Sequence, residues 1–294
     1  MMVVVVHGAG DDQWGSRASG RVVPGVIFVW IVAILGVIVG LGWLVEFAVA
    51  RNAGSTEYVI AGAVPLTMDP AAAASLAPET TAPAGPPGTA TPTGPATAKP
   101  PTGPPSVQVA ASWVDSIATR TGIPARALTG YADAQLMSNV THPGCHLSWV
   151  MLAGIGSIES GHGSHGGAHL LPDGTASTPI LGPALDGTHG NKAIHATVEG
   201  VRLDGDVHWD HAVGPMQFLP STWLKWGVSA TGGTPNPEDI DDAALTAANY
   251  LCAHNRDLST VDGWRAALAA YNAPDAYAVK VTNAANRYAR ASLG

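Results

Sequence analysis

Three regimes of hydrophobic patterning follow one another along the chain. Residues 22–45 form an apolar run without one charge, dominated by Val, Ile, Leu, Trp and Gly. From about residue 107 the apolar positions recur instead at intervals of three and four, the spacing that gathers side chains on one face of a helix. That periodicity predicts helices over 107–120, 124–137, 146–160, 220–226, 241–255, 263–271 and 275–291. Pro124 suits the first turn of the second helix, and Gly161 suits the C-terminal stop of the third. Between 161 and 212 the periodicity breaks into Gly, His, Pro and Asp, with short apolar runs such as 198–203 that read as one or two hairpins. The predicted domain is therefore mainly α, with one long irregular, partly β insertion. A loop of that length inside a compact domain is usually functional.

About 20 apolar residues cross a bilayer as a helix, whereas the apolar part of a cleavable signal runs to about 7–15. The run at 22–45 is thus read as a transmembrane helix. Arg17 and Arg21 precede it and only Glu46 and Arg51 follow closely, so the positive-inside bias makes residues 1–21 a cytoplasmic tail and puts the remainder outside. The alternative is a long signal peptide cut after Ala48-Val49-Ala50. Either way the C-terminal part is exported.

Residues 46–105 read as a disordered linker rich in Pro, Ala and Thr. Eleven of the 23 prolines fall between 70 and 105, where Glu79 and Lys99 are the only charges. Such a segment favours extended, polyproline-like conformations and cannot build a packed core. A tether of this kind suits a domain working at a distance from the lipid, as on a cell wall.

Charge sharpens this division. Only 12% of the chain is charged, against about 25% in ordinary domains, and much of the deficit lies in the apolar run and the linker. With a net charge of −8 there is no electrostatic case for nucleic acid. Residues 106–294 remain as one domain large enough to bury a core. Both cysteines, Cys145 and Cys252, fall within it on the oxidising side, so a disulfide is expected. Closing that loop is worth up to about 4.7 kcal/mol in the chain-entropy model.

Among the residues that can do chemistry, Glu159 stands out. It lies four residues after Ile155 and seven after Leu152, so it continues an apolar stripe instead of the solvated face. Partial burial and the negative end of a helix both disfavour its ionised form and push its pKa upward. A carboxylic acid kept protonated near neutrality is what protonation of a glycosidic oxygen requires.

Glu159 is embedded in IGSIESGHG at 155–163, which is followed by VGPMQFLPSTW at 213–223, AANYLCA at 247–253 and AYN at 270–272. In this order and at these spacings the chain resembles the exported lytic murein transglycosylases of the membrane-bound B type, over about residues 106–288. The resemblance implies a lysozyme-like fold of the goose-type class whose cleft binds peptidoglycan glycan strands, with no cofactor and a Glu followed by Ser as the sole catalytic carboxylate. Glu159 would protonate the oxygen between N-acetylmuramic acid and N-acetylglucosamine, while the substrate's N-acetyl group stabilises the cation-like centre. It would then take the proton of the C6 hydroxyl as the 1,6-anhydro ring closes. Ordinary glycosidases need a second carboxylate.

The same resemblance points to Ser160, Gly214, Met216, Gln217, Tyr271 and Asn272 as substrate-binding residues. The amides of Gln217 and Asn272 suit N-acetyl and hydroxyl groups, since they donate and accept. As structural alternatives, Gln217 and Asn272 are helix-end caps and Tyr271 is core. Trp209, Trp223, Trp226 and Trp264 are candidates for stacking on sugars, with the core as their commoner place. Rivals of the same fold are a hydrolytic muramidase and a peptidoglycan-binding scaffold without turnover.

His162, His165 and His169 are spaced so that they can ligate zinc or copper, but with no carboxylate or thiol nearby a solvated loop is the plainer reading. Asp204, Asp206 and Asp210 offer oxygens to calcium or a second catalytic carboxylate, with a hairpin turn as the plainer reading. No metal is assigned. Two departures from the family pattern stand out. Residues 228–237, where some relatives carry an EF-hand-like loop, contain no acid, and no cysteine near the membrane run supports a lipid anchor.

Overall fold

The computed structural model describes residues 60, 62–68, 108–188 and 190–294. The segment read as a transmembrane helix and most of the linker lie outside them. Among the described residues no helix is long and apolar enough to cross a membrane.

The fold is mainly helical. In chain order the α-helices are α1 (Ala111–Thr121), α2 (Ala125–Thr141), α3 (Trp149–Ser160), the single turn α4 (Val201–Asp204), α5 (Pro220–Trp226), α6 (Ile240–Cys252), α7 (Val261–Tyr271) and α8 (Asp275–Leu293). Capping explains several boundaries. Pro220 occupies the first turn of α5, Asp239 accepts the Asp241 and Asp242 amides at the start of α6, and Thr260 accepts Gly263 N at the start of α7.

α3 is the centre of the helical domain. Every residue from Trp149 to Gly156 is buried, so this helix carries no apolar stripe but is surrounded on all sides. Only its last turn emerges, where Ile158 is 37% exposed and Glu159 half-buried. α3 packs chiefly on α8, and α2 chiefly on α6. Gly154 permits the first contact, because a Cβ there would come within 2.8 Å of the Val281 carbonyl oxygen. The disulfide Cys145–Cys252 forms as expected, with Cα atoms 5.4 Å apart, and ties the approach to α3 to the end of α6.

Two sequence expectations are corrected. Residues 198–203 do not form a hairpin: α4 turns there, and the chain on either side meets in the antiparallel bridge His195↔Trp209. Throughout the described part of the insertion the β character consists of isolated bridges, including Leu170↔Ala176, Leu181↔Val213 and Val213↔Phe218. The linker expectation also fails over a short stretch. Residues 62–68 lie against the helical domain as a strap, with Val64, Leu66 and Met68 packed on its core. The Pro65 carbonyl accepts Trp113 Nε1–H at 2.8 Å, the Val64 carbonyl accepts Trp149 Nε1–H at 3.3 Å, and Val64 N donates to Ser292 Oγ at 3.1 Å. The strap docks here because its apolar side chains have surface to bury and its backbone carbonyls satisfy the indole N–H donors of Trp113 and Trp149.

Candidate active site

Glu159 sits where α3 leaves the core. Burial pushes its carboxyl up to about 7, and a hydrogen bond from the Tyr277 hydroxyl to Oε1 at 2.5 Å acts in the opposite direction. Tyr277 belongs to the first turn of α8 and is 8% exposed. Burial, then the neighbouring Glu159, hold its phenol well above the ordinary tyrosine range, so it remains a donor. Because Oε1 accepts this bond, the proton of the neutral acid belongs on Oε2.

Facing the end of α3 is the tip of a tight hairpin. Val213 and Phe218 exchange backbone hydrogen bonds at 2.9 and 3.0 Å, which leaves Gly214, Pro215, Met216 and Gln217 to make the turn. Gly214 has φ +76°, and a Cβ there would collide with the Pro237 carbonyl. Gln217 also has positive φ, +50°, an uncommon backbone for a residue with a side chain. Three attachments hold the tip. Ser160 Oγ donates to Pro215 O at 2.6 Å and accepts from Gly163 N at 2.7 Å. Tyr271, at the end of α7, donates its hydroxyl to Met216 O at 2.8 Å. Gln217 Nε2 donates to Ile180 O at 3.1 Å and Gly214 O at 3.0 Å.

The structure therefore brings the motif residues together but gives them unequal work. Glu159, Ser160, the 214–217 tip and Tyr271 converge. Met216 is fully buried, Ser160 is 4% exposed, and the Gln217 NH2 is committed to backbone carbonyls. These three hold the loop from behind instead of presenting free groups to a ligand. Asn272 is the C-cap of α7 through its backbone N–H to Leu268 O, as its structural alternative held; its half-exposed side-chain amide makes no hydrogen bond among the described residues.

The insertion histidines have separate settings. His162 is buried between two tyrosines, with Nδ1 3.1 Å from Tyr131 Oη and Nε2 2.8 Å from Tyr288 Oη. Tyr288 donates onward to Ser157 Oγ at 3.0 Å, so its oxygen accepts from Nε2–H, and Nδ1 accepts from Tyr131. Burial, then Arg287, press the imidazole down to about 4 and keep it neutral. His165 is exposed, and His169 meets Ser177 Oγ at 3.1 Å. The aspartates 204, 206 and 210 belong to a turn. Asp204 accepts from Asp206 N and His211 N, and Asp206 accepts from His208 N and Trp209 N. Among the described residues no group of three His, Cys, Asp or Glu side chains is arranged to hold a metal ion.

Trp223 and Trp264 are core, while Trp209 stacks on His195 at 4.4 Å and Trp226 is half-buried against Tyr250. Tyr277 and Glu238 escaped the sequence reading. Glu238, pushed up to about 7 by burial, accepts Ile180 N at 3.1 and 3.2 Å behind the hairpin tip. Tyr277 lies six residues after Tyr271, and nothing local marks it as the partner of a glutamate 118 positions away. The chain matches no protein-family model, no curated protein and no solved structure.

Proposed function

We propose that this chain is a lytic transglycosylase with a lysozyme-like domain, acting on peptidoglycan glycan strands from the outer side of a membrane to which residues 22–45 anchor it. The observation that carries this reading is the carboxyl of Glu159, raised to about 7 at the emerging end of α3 and held by Tyr277. An acid of this kind is half-protonated at neutral pH and has a fixed free oxygen. Oε2 delivers its proton to the oxygen joining N-acetylmuramic acid to N-acetylglucosamine, and the C1–O bond breaks. The C6 hydroxyl oxygen then bonds to C1, and its proton returns to Glu159 with the Tyr277 donor stabilising the carboxylate in between. The 1,6-anhydro product follows without water, and the acid is regenerated. The four motifs quoted above support the same reading through their family resemblance.

The test is digestion of purified sacculi with mass analysis of the soluble products. Transglycosylation leaves the summed mass unchanged and gives 1,6-anhydro ends, whereas hydrolysis adds one water per cleavage. Glu159→Gln should release nothing. Anhydro products from that variant, hydrolytic products from the wild type, or binding without release would each overturn the proposal.

A further inference from the structure

A cavity lies on the far side of Tyr250 from Tyr271 and includes the Trp226 ring in its lining. It has a volume of about 350 Å³, opens between α5 and the C-terminal end of α6, and is lined in part by Ser221, Lys225, Trp226, Tyr250, His254 and Arg256. No carboxylate lines it, although residues 106–294 carry more Asp and Glu than Lys and Arg. Arg256 Nη1 donates to the carbonyls of Tyr250 and Leu251 at 3.0 and 3.3 Å, which offsets the negative end of α6. Its Nε and Nη2 hydrogens make no bond among the described residues. Lys225 Nζ stands 5.7 Å from the Trp226 ring centroid, and among the described residues it makes no ion pair with a carboxylate.

The cavity is joined to the site by a row of rings. Trp226 meets Tyr250 edge to face at 5.4 Å, and Tyr250 meets Tyr271 at 6.0 Å. Tyr271 in turn carries the Met216 carbonyl of the hairpin tip, and its phenol feels the charge of Glu159. The row links the lining of the basic pocket, through Tyr250 and Tyr271, to the hairpin tip that faces Glu159.

We propose that the pocket binds a carboxylate of the peptide carried on the muramic acid of the glycan strand, and so selects strands that still bear peptide; this rests on the function proposed above. Lys225 and the free face of Arg256 receive the carboxylate, and Trp226 and Tyr250 cover the apolar part of the peptide. One free ammonium and one guanidinium partly engaged by helix carbonyls match a singly charged group on an apolar stem better than a run of phosphates.

The test compares kcat/KM on peptide-bearing glycan with that on peptide-stripped glycan, using the full chain and its Lys225→Glu variant, with Arg290→Glu on the exposed side of α8 as a charge control. The wild type should prefer the peptide-bearing strand, Lys225→Glu should lower the preference about fivefold or more, and Arg290→Glu should leave it in place. In parallel, a muramoyl dipeptide with free carboxylates should bind the wild type, while its amidated form and inorganic phosphate should not. Equal rates on both glycans, a preference untouched by Lys225→Glu, or binding of phosphate in place of the dipeptide would overturn the pocket assignment and leave the proposed function standing. Cleavage of neither glycan would overturn the proposed function itself.

Discussion

The hydroxyl of Tyr277 donates to Oε1 of Glu159 at 2.5 Å, joining the first turn of α8 to the last turn of α3. Two opposing effects meet at this bond. Burial holds the proton on the carboxyl, and the phenol stabilises the carboxylate that remains once the proton has left. A group asked to give a proton and then take one back needs both.

Tyr277→Phe removes the donor and leaves the burial. The Glu159 pKa should then rise further, and the alkaline limb of the kcat/KM profile should move to higher pH. The maximal rate should fall about ten- to a hundredfold, because the intermediate carboxylate loses a charge-assisted hydrogen bond worth about 1.5–3 kcal/mol. A pH–rate profile on sacculi checks both. An unmoved limb with a lower rate would reduce Tyr277 to a packing role.

Glu159→Gln should stabilise the fold, and more so as pH rises. The folded carboxyl binds its proton up to about 7, against an ordinary value of 4.5, so the native state holds more protons than the unfolded chain between these limits. Native stability from this group is therefore lost as pH climbs through that window. The neutral amide escapes the loss, worth on the order of 1–3 kcal/mol by pH 8. Thermal unfolding at pH 5 and pH 8 should show the gap in Tm widening at the higher pH.

Ser160→Ala should cost about 1–3 kcal/mol, because it leaves the buried Gly163 N–H without its acceptor and frees the Pro215 carbonyl. Denaturant unfolding measures this. Under the proposed function turnover should fall as well, since the Gly214–Gln217 tip loses its direct attachment to the helix that carries Glu159. Ser160→Thr, which keeps the oxygen, should recover part of both.

Replacing residues 62–68 with a Gly/Ser segment of equal length should destabilise the helical domain by about 2–4 kcal/mol, the burial of Val64, Leu66 and Met68 being worth roughly 1 kcal/mol each. The replacement keeps its backbone carbonyls, but without apolar side chains to hold it against the core it no longer presents them to the indole N–H groups of Trp113 and Trp149. Tryptophan fluorescence should shift to the red before unfolding. An unchanged midpoint and spectrum would show that the strap contributes nothing.

Much of the helical frame was written in local pattern. The helix predicted over 220–226 has those bounds, and those predicted over 263–271 and 275–291 begin or end within two residues of the observed ones, because helical spacing and caps such as Thr260 are short-range signals. The surroundings of Glu159 differ from those its sequence spacing implies. The apolar spacing before it does not mark a stripe, since α3 is buried all round as far as Gly156. The carboxyl is unusual because the helix leaves the core within one turn of it. Gln217 shows the opposite case: its residue type suits a sugar amide, yet the neighbouring Ile180 and Gly214 carbonyls take its hydrogens.

By itself the sequence determined a mainly α domain, the two cysteines that close on each other, and the carboxyl that stands apart from its surroundings. All of these rest on the order of residues within a few turns or on the count of a rare residue type. Tertiary structure alone decided that Tyr277 supplies the partner of Glu159, that Ser160 and Tyr271 hold the hairpin tip across 55 residues in each case, and that residues 62–68 return to the core. Such contacts depend on which faces of buried helices meet and at what distance, and no local periodicity encodes that geometry.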